Sequence, residues 1–152
     1  MVEASLQVLS NFGSAVLGAL IALHVALYRF REEKIWEKRA AAYERVIEAF
    51  HKAKRFSSEH LEAMIHSREV DDERAAELRK MAKASADEII RAFDIGSFIL
   101  SDDAVTILAR YEIEIKERSR SDSWHEYLEA DLAMTNRHMK KFIAQARQDL
   151  KH

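Results

Sequence analysis

Residues Ala4 to Tyr28 form a run of 25 positions without a single Asp, Glu, Lys or Arg. Seventeen of them are apolar and two are glycine. At 1.5 Å rise per residue that length matches one helical crossing of a bilayer core. Beyond the run the composition inverts: all 24 Lys and Arg residues, and all 26 Asp and Glu except Glu3, lie from Arg29 onward. With 152 residues in total, the charged part can build one ordinary domain. The sequence therefore predicts a transmembrane helix at 1–29 and a helical domain at 30–152.

Two other readings of the run fit less well. A cleavable signal peptide needs a basic leader and a small-residue cleavage site, but here the leader is Met1-Val2-Glu3 and no Ala-x-Ala site precedes the charged segment. A buried helix of a soluble core seldom stays free of charge for so long. The flanks set the orientation, since Lys and Arg bias decides topology. None precedes the run, whereas Arg29, Arg31, Lys34, Lys38 and Arg39 follow it. The expected arrangement is an N-terminus outside and a C-terminal domain in the cytoplasm, with Tyr28 and Trp36 suited to an interfacial aromatic belt.

The run has two faces. At about 100° per residue, Gln7, Ser10, Asn11, Ser14, Gly18 and Ala22 share an arc of about 120°, and the leucines lie opposite. Ser10, Ser14, Gly18, Ala22 and Ala26 continue this arc as a small-xxx-small ridge. Such ridges let helix backbones approach closely in lipid. A single-pass chain has no second span of its own, so the expected partner is another copy. Gln7 and Asn11 read as hydrogen-bonding glue near the outer interface, in preference to the lining of a pore.

The remainder reads as all-α, with no proline and only one glycine, Gly96. Ile35, Trp36, Tyr43, Val46, Ile47, Phe50, Leu61, Met64 and Ile65 recur at helical spacing, with Trp36, Tyr43 and Phe50 on one stripe. One helix is thus expected from the membrane to about Ser67. Asp71 or Asp72 caps a second helix that ends near Asp94, with Gly96 in a left-handed turn. Phe98, Ile99 and Leu100 form a packed apolar loop. Ser101 starts a third helix, and Ser121 or Ser123 a fourth, after a polar turn at Arg118–Ser121. The predicted architecture is an antiparallel helical bundle whose first helix continues the membrane span.

Chemistry is sparse. Zero cysteines remove disulfides, thiolate metal sites and cysteine nucleophiles. The net charge of −2 argues against binding to a nucleic-acid polymer. The seven histidines make no His-Glu-x-x-His motif, and the i,i+4 pairs Glu62–His66 and His125–Glu129 lack further ligands. No Walker loop, nucleophile elbow or kinase signature occurs. No metal, cofactor or catalytic residue is expected, and the chain does not read as an enzyme. Basic clusters remain: Lys52, Lys54 and Arg55 on the first helix, Arg79, Lys80 and Lys83 on the second, and Arg137, His138, Lys140 and Lys141 on the last. Any two that converge across subunits could hold a phosphorylated small molecule.

The segment Lys34-Ile-Trp-Glu-Lys-Arg-x-x-x-Tyr43 after one span, with Ala146-Arg-Gln-Asp-Leu150 at the end, resembles small bacterial single-pass membrane proteins with a helical cytosolic domain. The resemblance implies an inner-membrane location and this fold, and no activity. The expected function is a homo-oligomer whose cytosolic bundle binds a ligand or partner and couples it to the span. A pore-forming or membrane-disrupting antiviral defence effector gated by a nucleotide signal is one concrete form. The rival reading is a passive anchor that scaffolds a cytosolic partner.

Overall fold

The computed structural model describes residues 2–96, 98–117 and 123–151, with side chains from residue 18 onward. Among them are four α-helices and no strand: α1 (Val2–Ile65), α2 (Asp72–Gly96), α3 (Asp102–Glu117) and α4 (Trp124–Asp149). The polar turn expected at 118–121 lies outside the described residues. The chain divides into two compact units, Met1–Glu37 and Lys38–His152.

In the first unit every described side chain is exposed. Lys34 pairs with Glu37 at 2.7 Å and sits 5.7 Å from the Phe30 ring centre. Trp36 is 47% exposed, so along the Trp36–Tyr43–Phe50 stripe burial begins at Tyr43. Among the described residues no helix is long and apolar enough to cross a membrane. The side chains of residues 4–17, more than half of the charge-free run, lie outside them.

The second unit is an antiparallel bundle, as the order of contacts along each helix shows. Tyr43 meets Asp149 and Ser57 meets Asp131, so α1 and α4 run in opposite directions. Arg74 meets Glu59 and Arg45 meets Glu88, which opposes α1 to α2. Ser101 meets Asp149 and Glu114 meets Arg137, which opposes α3 to α4. The core gathers Tyr43, Val46, Phe50, Ile89, Leu108, Tyr111, Met134 and Phe142. At its centre the Phe50 ring stands edge-on to Tyr111, centroids 4.9 Å apart, and 6.0 Å from Phe142. These are favourable aromatic geometries in addition to the apolar area they bury.

Local chemistry sets the helix ends. Asp71 caps α2 by accepting from the Arg74 N–H at 2.9 Å. Ser101 caps α3 through the Ala104 N–H at 3.2 Å, and Ser123 caps α4 through the Glu126 N–H at 3.1 Å. The end of α1 is a Schellman turn: Arg68 N–H donates to the Ala63 carbonyl at 2.8 Å and Ser67 N–H to Met64 at 3.0 Å. Ser67 therefore carries φ of 50°, the left-handed conformation that glycine adopts without steric cost. Replacing Ser67 with Gly should stabilise the chain by about 0.5–1 kcal/mol, read as an upward shift of the denaturant midpoint with unchanged slope.

Gly96 corrects the expectation placed on it. Helix α2 runs on to Gly96, which has no positive φ. Its role is close approach: a Cβ there would meet Leu100 Cδ1 at 3.1 Å and Val105 Cγ2 at 3.4 Å. The following loop is not uniformly packed, because Leu100 is buried while Phe98 is 93% exposed.

Candidate functional site

The stripe through Tyr43 and Phe50 continues by the same step of seven to Ser57, and it meets α4 in three layers. In the top layer Asp149 accepts hydrogen bonds from the Tyr43 hydroxyl and, at 2.6 Å, from the Ser101 hydroxyl. Gln145 donates to its other oxygen at 2.9 Å. Arg39 completes the layer by donating from Nε to the Ile99 carbonyl at 3.1 Å. The middle layer is the Phe50–Tyr111–Phe142 cluster. In the lower layer the Ser57 hydroxyl, fully buried, donates to the carboxylate of buried Asp131. One carboxylate thus ties together the inner faces of three helices at one end of the core, and a second joins α1 to α4 at the other.

These environments bias ionisation. Burial disfavours the charged form of Asp149, but hydrogen bonds from Ser101, Tyr43 and Gln145 outweigh it and hold the carboxyl below its ordinary range. Burial, then the bond to Asp149, pushes the Tyr43 phenol up. Glu59 is held below its ordinary range chiefly by Arg74, whose Nε and Nη2 fork onto the two carboxylate oxygens at 2.9 and 2.7 Å.

Within one chain, the basic clusters singled out in the sequence stay apart from one another. Lys52 pairs with Glu48 at 2.7 Å and Arg55 with Glu59 at 2.8 Å, both within α1. Arg137 pairs with Glu114 of α3. His138 is buried, not a surface cation, with Nε2 3.1 Å from Glu114 Oε1 and no aligned hydrogen bond at either ring nitrogen. Burial opposes ionisation of Glu114, yet His138 and Arg137 together hold its carboxyl below the usual value. Lys140 and Lys141 are exposed and Lys54 is half-buried. None of these ion pairs bridges the α1 and α4 clusters. Of the expected assembly face, Gln7, Ser10, Asn11 and Ser14 lie outside the described side chains. Gly18 has open space where a Cβ would stand, and Ala22 and Ala26 are exposed.

One predicted cation does meet others. Lys52 lines a cleft of about 600 Å³ between α1 and α2 together with Arg45 and Arg91, opposite Glu48 and Glu88. Ala49, Ala84 and Ser85 also line it. Arg45 reaches Glu88 only at 3.7 Å, and Arg91 forms no ion pair among the described residues. Three cations against two carboxylates make this the anion-binding candidate. Sequence reading missed Arg45 and Arg91 because neither stands in a basic cluster; only the antiparallel pairing of α1 with α2 brings them together.

His125 and Glu129 meet at 3.5 Å on an exposed face. Among the described residues no three His, Asp or Glu side chains group as a metal site would require. No family model matches the chain, and neither the curated proteins nor the solved structures compared with it give a match.

Proposed function

We propose that the chain is a homo-oligomeric, single-pass membrane protein of the bacterial inner membrane. Its cytosolic bundle binds an anionic small molecule or a partner and couples that event to the span. The observation that carries the reading is the apolar surface of α1 beyond the bundle. Leu20, Ile21, Leu23, Val25, Leu27, Tyr28 and Phe30 are each 47–62% exposed. At about 100° per residue they cover some 220° of the helix surface, and Ala22 and Ala26 occupy most of the rest. A helix that is apolar all round is stable only when something surrounds it, a protein core or lipid. Here the run is charge-free for 25 residues, the length that lipid requires.

Coupling is supported by covalent continuity, since α1 carries both this surface and the Tyr43–Phe50–Ser57 face of the bundle. The cleft of Arg45, Lys52 and Arg91 supports an anionic ligand for the bundle. The test is flotation of the full chain with liposomes, followed by a carbonate wash. Retention in the lipid fraction is expected, and it should be lost in the double variant Leu20→Glu/Leu23→Glu, because each charge in the bilayer interior costs about 2.5–3.5 kcal/mol. A native chain released by carbonate would refute the anchor.

A further inference from the structure

A second groove, of about 720 Å³, runs between α1 and α4, and its walls are apolar. Ile47, Met139, Ile143 and Leu150 line it and are each only half-buried. Its rims differ in charge. The α1 side carries Glu44 and Glu48, and the α4 side carries Arg147 and Lys151. Glu48 already answers Lys52, whereas Glu44, Arg147 and Lys151 form no ion pair among the described residues. We propose that this groove is the surface on which two copies of the bundle pair, through a two-fold axis parallel to the groove.

The charge pattern selects that axis. A two-fold operation along the groove lays α1 of one copy over α4 of the other, so the acidic rim meets the basic rim twice in an isologous contact. A two-fold across the groove would set α1 against α1 and oppose like charges. Heights also agree. Tyr43 bonds Asp149 and its ring lies 5.3 Å from Phe142, so Glu44 and Arg147 stand at the same level of the bundle. The chosen axis preserves level and therefore brings Glu44 opposite the partner's Arg147. Within the paired bundles the two α1 segments stay parallel. The contact buries Ile47, Met139, Ile143 and Leu150 at its centre with charges at its edge, the anatomy of a specific protein interface.

This deepens the homo-oligomeric reading above, and its test is separable from the test for the anchor. The native chain has no cysteine. Full-length Glu44→Cys and Arg147→Cys chains are mixed in detergent and oxidised. The mixture should form disulfide-linked dimers about tenfold faster than either variant alone. In chains carrying Lys140→Cys as a spin-label site, Glu44→Arg or Arg147→Glu should weaken pairing about tenfold, and the double exchange should restore it. Equal cross-linking of Glu44→Cys with itself, or no cross-linking in any mixture, overturns the proposal and points to another occupant of the groove. If the same chains still float with liposomes, the dimer alone has failed. Cross-linking without flotation would refute only the anchor.

Discussion

Replacing Phe50 with Ala should be the most destabilising single truncation in the bundle. The side chain is fully buried and touches α3 through Tyr111 and α4 through Phe142. Its removal deletes apolar burial and leaves a cavity bounded by two rings on different helices, which cannot both move inward without losing their own packing. Substitutions of this kind cost about 3–5 kcal/mol. For a unit of this size that lowers the melting temperature by on the order of 10–20 °C. Phe50→Leu retains most of the volume and should cost less than half as much. Far-ultraviolet circular dichroism through a thermal ramp gives the comparison. A loss for Phe50→Ala no larger than that for the exposed Phe98→Ala would contradict the packing described.

Asp149→Ala is the second large effect, and it carries a pH signature. The carboxylate is the shared acceptor for Tyr43 and Ser101, so its loss leaves the two hydroxyl hydrogens with no acceptor but each other's oxygen, at 3.4 Å. A hydrogen bond to a charged acceptor contributes about 1.5–3 kcal/mol, and the orphaned donors set the cost within that range. Because the folded carboxyl lies below its unfolded value, its contribution is complete above the unfolded carboxyl pKa, near 3.9. It disappears as pH falls through the folded value. Glu59 and Glu114 act in the same sense. The wild-type chain should therefore lose stability steeply below about pH 4, and Asp149→Ala should follow a shallower acid limb. The raised Tyr43 phenol has the opposite sign: its contribution is full below the unfolded value, near 10, and is lost as pH rises through the folded one. Denaturant midpoints across pH separate the two limbs, and a variant with an unchanged acid limb would exclude Asp149 as a source.

What could be read from the sequence follows the range of the interaction responsible. Helix starts at Asp71, Ser101 and Ser123 were legible because a cap acts over three residues. The core positions Tyr43, Val46 and Phe50 are legible because helical periodicity marks them. Residue type alone points to Gly96 for the left-handed conformation, whereas hydrogen bonding at the end of α1 places it at Ser67. The polar members of the core were hidden. Ser57 and Asp131 are 74 residues apart, and each alone looks like an ordinary surface residue. His138 appeared as part of a basic cluster, but its position on the inner face of α4, four residues before Phe142, buries it. The anion cleft was hidden for a related reason, since Arg45 and Arg91 gain meaning only from the pairing of two helices.

The bundle has its own core, caps and buried polar ties, while the apolar surface of α1 at Leu20–Phe30 is exposed. Hydrogen–deuterium exchange of the full chain, with and without lipid nanodiscs, tests the proposed division most directly. Amides of residues 4–28 should gain strong protection only in nanodiscs, while those of Tyr43–Ser57 and Leu128–Ala146 should be equally protected in both states. Equal exchange at 4–28 with and without lipid would contradict that division.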